Sequence, residues 1–212
     1  MIRRSVATAA VVLASLAACT DDDGAPPTTT ASTTTTVAPD GELDQLLVTA
    51  ADLPAGFAPN ADVDDTVTAF CAGQDAAAGL SASGRAIVGF TRTPPGASVI
   101  QLVFRFDDDG ASRFVEQAED LFTTCSDVPD ATGLAFTYEP VSPPVEETLA
   151  GVDSSASRYG TSFGSGNLTI NVAVIQQADV GVLVAVLGLE EPREALDDLA
   201  AEVFAAATER LG

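Results

Sequence analysis

Histidine, lysine and tryptophan are absent from the 212-residue sequence, and cysteine occurs only three times. Without histidine or lysine, the chain lacks the side chains that most often act as general bases or activate nucleophiles. The lack of histidine also disfavours zinc and iron sites, because imidazole is the commonest protein ligand of such metals. We therefore expect no enzymatic activity, no metal ion and no cofactor.

Positive charge is scarce as well. The chain has 31 acidic residues against nine basic ones, all of them arginine, which gives a formal net charge of −22 at pH 7. Nucleic acids and anionic lipid headgroups are bound through positive patches. The charge therefore excludes nucleic acid as a partner, favours solubility and leaves a cationic partner open.

The N-terminus has the layout of an export signal. Residues 1–18 begin with Arg3 and Arg4 and continue as a run of small and apolar residues. This run is shorter than the about 20 residues of a membrane-spanning helix and is typical of a signal peptide. It leads directly into Leu16-Ala17-Ala18-Cys19, which resembles a lipobox. In a lipobox the cysteine thiol receives a lipid, and the signal peptide is then cut off just before that cysteine. We predict fatty acyl chains such as palmitate on Cys19; an ordinary signal with a chance cysteine is the alternative.

This lipid would hold the protein on the extracytoplasmic side of the cell membrane. It is the one membrane contact that the sequence predicts, since no stretch after Ala18 resembles a transmembrane helix. Cysteines in oxidising compartments form disulfides, and Cys71 and Cys125 remain as an even pair. A bridge between them would close a loop of about 55 residues and contribute at most about 4 kcal/mol. Two buried free thiols are the alternative.

The rest of the chain divides into a tether and one domain. Residues 19–41 are rich in Thr, Pro, Ala and Asp, and cannot bury enough apolar surface to offset the cost of ordering. We predict a disordered tether there. Residues 42–212 are long enough to form a single domain with its own core.

Hydrophobic spacing predicts both strands and helices in this domain. Predicted strands cover residues 85–92, 98–106, 134–141, 155–163, 168–177 and 181–189. Predicted helices cover Leu43–Leu47, Phe114–Phe122 and Pro192–Leu211, while 63–79 is ambiguous, with a helix around Phe70 and Cys71 as one interpretation. In the second strand, one face is formed by Ile100, Leu102, Phe104 and Phe106. The order favours an α+β fold, a mostly antiparallel sheet with helices packed on one face.

A family resemblance rests on the opening of this domain. Leu46 to Phe57 has the pattern Leu-Leu-x-x-Ala-x-Asp-Leu-Pro-x-Gly-Phe, and it follows a lipobox and a Thr/Pro-rich tether. Together with the paired cysteines, this layout resembles the PknH-like extracellular sensor-domain family of actinobacteria, which includes kinase outer domains and stand-alone lipoproteins. The resemblance covers residues 42–211. It implies a cleft between sheet and helices that binds an unidentified ligand.

Two short motifs resemble catalytic or metal sites. Gly160 to Gly164 matches the Gly-x-Ser-x-Gly pattern of serine hydrolases, but it lies in a predicted hairpin, and no histidine is present to act as base. Asp107 to Gly110 fits part of an EF-hand loop, with Glu116 on a further ligand position, but Arg105 occupies position one. We interpret the first match as coincidence and the second as a strand-to-helix turn whose carboxylates cap the helix.

Paired carboxylates such as Glu146 and Glu147 can in principle perform acid–base hydrolysis. These two adjacent glutamates lie in a predicted proline-bounded loop, where such side chains are usually exposed. Sugar-cleaving sites also offer aromatic platforms, and this chain has only two tyrosines, Tyr138 and Tyr159. The sequence therefore identifies no catalytic pair.

Two functions of different classes remain. The first is a non-catalytic ligand-binding or sensor-like domain that holds a small apolar or amphiphilic ligand in a cleft lined by Phe, Leu and Val, with arginines at its rim. Arg105 and Arg158 lie in predicted strands that could border such a cleft, although a surface role suits them equally, and we assign no ligand-binding residue. The alternative is a structural lipoprotein with a filled core that docks to a cell-envelope protein through an exposed apolar patch.

Overall fold

The computed structural model describes residues 41–63, 69–70, 74–93, 96–124, 137–163, 166–189 and 191–212. Cys19, Cys71 and Cys125 lie outside these residues, as do the predicted signal peptide and the tether up to residue 40. Lipidation and the disulfide therefore stay predictions.

The strands are β1 (Ala58–Pro59), β2 (Ala69–Phe70), β3 (Gln74–Asp75), β4 (Ala82–Arg92), β5 (Gly96–Phe106), β6 (Thr137–Glu139), β7 (Asp153–Phe163), β8 (Gly166–Gln177) and β9 (Val180–Leu189). The helices are α1 (Gly110–Thr124), α2 (Pro143–Thr148) and α3 (Arg193–Leu211), with a 3-10 turn at Leu43–Leu46. Among the described residues, seven strands form one sheet in the order β1-β4-β5-β9-β8-β7-β6, with every neighbouring pair antiparallel, and β2 pairs with β3 separately. The predicted α+β class and antiparallel sheet are confirmed.

The sheet is covered by helices on both faces rather than on one. Because side chains alternate along a strand, Val182, Val184 and Val186 of β9 pack in the core beneath α3, while Leu183 and Ala185 pack beneath α1. β8 divides its residues between the two cores in the same way. Strands buried on both faces carry nearly continuous apolar runs.

The predicted face of β5 is confirmed and lies beneath α1. Leu102, Phe104 and Phe106 are buried in the core that contains Phe114 and Phe122 of α1, and Ile100 packs against it. Phe104, Phe106 and Phe114 have ring centroids 5.3–5.7 Å apart. The helical spacing on α1 therefore predicted the correct buried stripe.

Buried polar contacts hold the opening of the domain in place. Gln101 is fully buried; its Oε1 accepts a bond from the Val48 N–H at 2.6 Å, and its Nε2 donates to the Leu46 carbonyl at 3.2 Å. Near the C-terminus, Arg210 Nη2 donates to Asp52 Oδ2 at 2.6 Å. The Leu46–Phe57 pattern is thus attached to both β5 and α3.

Two elements differ from the sequence predictions, one because of strand pairing and the other because prolines start a helix. The helix considered around Phe70 is wrong: Ala69–Phe70 is a strand, and Phe70 pairs with Gln74. The predicted loop around Glu146 is the short helix α2, which starts at two prolines. Proline is tolerated in a first helical turn because no intrahelical N–H bond is lost there.

The last helix begins one residue later than predicted. Pro192 has ψ 132°, outside the helical region, and its carbonyl accepts the bond from the Leu196 N–H. It is therefore the N-cap, and Arg193 is the first helical residue. Within the described ranges, no helix combines the length and apolarity needed to cross a bilayer.

The two outermost strands of the sheet are short. At one edge, β1 has two residues and ends in Pro59, and at the other edge, β6 has three residues and is followed by Pro140. β6 pairs only with Arg158, Tyr159 and Gly160 of the much longer β7.

Candidate functional site

A groove of about 490 Å³ opens between the end of α1 and the β6–β7 edge of the sheet. We call it the α1–β7 groove. It is lined by Glu119, Phe122, Thr123, Tyr138, Glu139, Pro140, Ser155, Ala156 and Ser157.

Helical spacing brings the α1 residues to the groove. Glu119, Phe122 and Thr123 are three and four residues apart, so they share one face of the helix. Phe122 is buried in the core beneath α1, whereas Glu119 and Thr123 are exposed at the rim. On this side of the groove, Phe122 is therefore fixed in the core, while the polar side chains of Glu119 and Thr123 face solvent.

The opposite side depends on strand register. Tyr138 of β6 lies directly across from Tyr159 of β7, with ring centroids 3.9 Å apart. Phe122 completes the cluster at 6.2 Å from Tyr138 and 5.9 Å from Tyr159. Because the chain has only these two tyrosines, every tyrosine signal of the protein comes from this site.

Burial alters the acidity of both phenols. Burial raises the pKa of Tyr138 to about 12. Burial raises the pKa of Tyr159 as well, and the neighbouring Tyr138 adds to this shift. Both phenols are therefore neutral at physiological pH.

These shifts predict an unusual titration. We expect little tyrosinate absorbance in the folded protein at about pH 10, where a free tyrosine is half ionised. The unfolded chain releases these protons first, so the free energy of unfolding should fall as the pH rises above about 10. An ultraviolet titration of native protein and of protein in guanidinium tests this. Two normal transitions in the native protein would contradict the buried cluster.

The groove offers hydrogen-bond acceptors. The Thr123 hydroxyl donates to the Asp120 carbonyl at 3.0 Å, and the Ser157 hydroxyl donates to the Glu139 carbonyl at 3.4 Å. Their free lone pairs are therefore acceptors. Among the described lining residues, no side chain carries an N–H donor, so the predicted arginine rim is not found here, and the lining is more polar than predicted.

A polar cluster lies behind the groove, on the α3 face of the sheet. Arg158, 8% exposed, donates from Nη1 to both carboxylate oxygens of Asp197 at 3.0 and 3.3 Å. Asn171, fully buried, donates to Asp197 Oδ1 at 3.1 Å. Arg158 Nη2 also donates to Glu139 Oε2 at 3.0 Å, and Arg193 pairs with the same oxygen. We call these five residues the α3 polar cluster; Glu139 belongs to both the cluster and the groove.

The two strand arginines singled out in the sequence do not line the groove. Arg158 is part of the α3 polar cluster, and Arg105 pairs with Glu42 at 3.2 Å and Asp179 at 3.8 Å. Arg158 is nevertheless connected to the groove, because it donates a hydrogen bond to the lining residue Glu139. Its 39-residue separation from Asp197 left no local signal for this pairing.

The remaining motif residues are also apart from the groove. Ser162 lies in the predicted hairpin, where its hydroxyl donates to Asn167 Oδ1 at 3.3 Å. Asp107 to Gly110 forms the predicted strand-to-helix turn. Its hydrogen bonds to described residues are main-chain ones, such as that from the Gly110 N–H to the Asp107 carbonyl at 3.0 Å, rather than the predicted carboxylate caps. Glu146 and Glu147 are exposed, as predicted. Within the described part of the chain, no three potential metal ligands are grouped to hold an ion.

The architecture is that of an α+β protein, with an antiparallel sheet between helices and an open groove at one edge. The extracellular domain of PknH from Mycobacterium tuberculosis has a similar fold, with a TM-score of 0.52 and 20% identity over 81% of this chain and 98% of that one. Saccharomyces cerevisiae Ran-binding protein Mog1p is more distant, with a TM-score of 0.32 and 13% identity over 74% of this chain and 82% of that one. No family model and no curated protein matches the sequence. The predicted PknH-like architecture is thus confirmed as a fold.

Proposed function

We propose that the protein is a membrane-anchored lipoprotein with a non-catalytic, sensor-like domain on the extracytoplasmic side, which binds a small ligand in the α1–β7 groove. The observation that carries this proposal is the groove itself. Its volume lies within the range of about 300–1,000 Å³ that is typical of small-molecule sites.

Three further features support this function. The lipobox at Cys19 and the tether provide an anchor, and the fold is shared with the outer domain of PknH. Membership of the PknH-like sensor family would explain this combination. The groove also combines an aromatic side with polar groups, which suits an amphiphilic ligand better than a purely apolar one.

Docking to an envelope partner through an apolar patch has less support. Among the described residues, Leu189 is the only large hydrophobic side chain that is well exposed, at 45%. Single exposed hydrophobic residues are normal on monomeric proteins, whereas docking sites form contiguous patches. We therefore favour ligand binding.

A ligand screen that compares the parent protein with a variant whose groove is blocked tests the proposal. Full-length protein in non-ionic detergent would be mixed with fractions of a lipid and metabolite extract from the native host, and followed by thermal shift and native mass spectrometry. Thr123→Phe places a ring at the groove rim, and Thr124→Phe makes the same change at the next exposed residue, which does not line it.

We expect a ligand that stabilises the parent protein and Thr124→Phe but not Thr123→Phe. Equal stabilisation of both variants, or the absence of any bound component, would contradict ligand binding in this groove.

A further inference from the structure

We propose that the ligand of the α1–β7 groove is an organic amine, bound through its ammonium group. This inference rests on the proposed function and specifies its ligand. It follows from the hydrogen-bonding character of the groove, the end of α1 and the position of one carboxylate.

An ammonium group complements the hydrogen-bonding groups of the groove. Thr123 and Ser157 have already donated their hydroxyl hydrogens to main-chain carbonyls, so they accept bonds from a ligand. An ammonium group has three donors and no acceptor, whereas a carboxylate or phosphate needs donors. The described lining side chains include no N–H group for such an anion.

The end of α1 adds negative potential at the same place. The helix ends at Thr124, one residue after Thr123, and its last turn contains no basic residue. The C-terminal end of a helix carries a partial negative charge that favours cations. A ligand ammonium next to Thr123 would therefore interact with the helix end as well as with the hydroxyl.

Glu119 is the carboxylate best placed to pair with the ligand. The other lining carboxylate, Glu139, is already bonded to Arg158 and Arg193. Glu119 is exposed and forms no ion pair within the described ranges. Phe122, Tyr138 and Pro140 can contact the hydrocarbon part of an amine, and aromatic rings also attract cations. The net charge of −22 further concentrates cations near the protein.

The two tyrosines provide a direct assay. Full-length protein in non-ionic detergent would be titrated with putrescine, with the diol of the same chain length, and with succinate, while tyrosine fluorescence is recorded. The chain has no tryptophan, Tyr138 lines the groove, and the ring of Tyr159 packs against that of Tyr138, so a saturable change reports binding there. We expect putrescine to produce this change, with weaker binding at higher salt, and the diol and succinate to produce none.

Matched charge variants locate the binding site. Glu119→Gln should weaken putrescine binding about tenfold, because it removes a charge-assisted bond. Glu116→Gln removes the same charge one turn earlier on α1, at an exposed residue outside the groove, and should change the affinity less than about twofold.

The other possible results contradict either the amine assignment alone or the proposed function as well. Equal effects of the two variants would mean that the amine is attracted by overall charge, and the inference would be wrong. If extract ligands bind in the groove but putrescine does not, or if the diol or succinate binds equally well, the amine assignment fails while the proposed function stands. If neither putrescine nor any extract component binds there, both fail.

Discussion

Replacing Asp197 with alanine is expected to destabilise the domain by about 3–5 kcal/mol. Asp197 is 8% exposed and accepts bonds from Arg158 and from fully buried Asn171. Alanine would leave the guanidinium buried on the α3 face without this carboxylate. Removing one partner of a buried ion pair costs far more than the pair itself contributes. Among the described residues, Arg158 would keep only its bond to Glu139, and buried Asn171 would lose its acceptor.

The neighbouring residue provides the control. Asp198 is exposed on the same helix, so Asp198→Ala should change the free energy of unfolding by no more than about 0.5 kcal/mol. Urea unfolding of both variants, followed by circular dichroism, measures the difference. The double variant Arg158→Leu/Asp197→Leu should be more stable than Asp197→Ala, since it leaves no buried charge. Similar losses for Asp197→Ala and Asp198→Ala would show that the cluster contributes little.

Replacing Cys19 with serine is expected to abolish membrane anchoring altogether. The proposed lipid is attached through the thiol of this residue, and a serine hydroxyl does not replace that thiol. Cell fractionation and intact mass should reveal either an uncut precursor or an unlipidated form released from the membrane.

Cys71→Ser is the control for this experiment, because it makes the same substitution at another cysteine and leaves the lipobox intact, although it would also break the predicted bridge to Cys125. This variant should remain acylated and membrane-bound. A Cys19→Ser protein that is still mature and membrane-bound would refute lipid anchoring.

Much of the fold was predictable because strand and helix periods are local. The alternation of Ile100, Leu102, Phe104 and Phe106 gave the correct face of β5, and the spacing on α1 gave the helix that covers it. The covering of both faces was missed although a signal was present. Val172–Ile175 and Val182–Val186 are continuous apolar runs, which is typical of strands buried on both sides.

The groove could not be predicted in the same way. Its aromatic cluster depends on the register that places Tyr138 opposite Tyr159, and register is a property of paired strands. Glu119 and Thr123 look like ordinary exposed residues of an amphipathic helix until the β6–β7 edge is placed beside them. The one available hint was that both tyrosines of the chain fall in neighbouring predicted strands. Sequence could also not indicate which carboxylate would pair with Arg158.

The short outer strands have a consequence for behaviour at high local concentration. Exposed strand edges are templates for pairing with another molecule, which leads to aggregation or domain swapping. β1 offers two residues and a proline without an N–H, and β6 offers three residues before Pro140. Another sheet could form very few bonds along either outer strand. The outer strands themselves therefore offer little to an incoming sheet. They pair with only two residues of β4 and three of β7, however, so edge-to-edge association at high local concentration would have to use the remaining length of these two long strands.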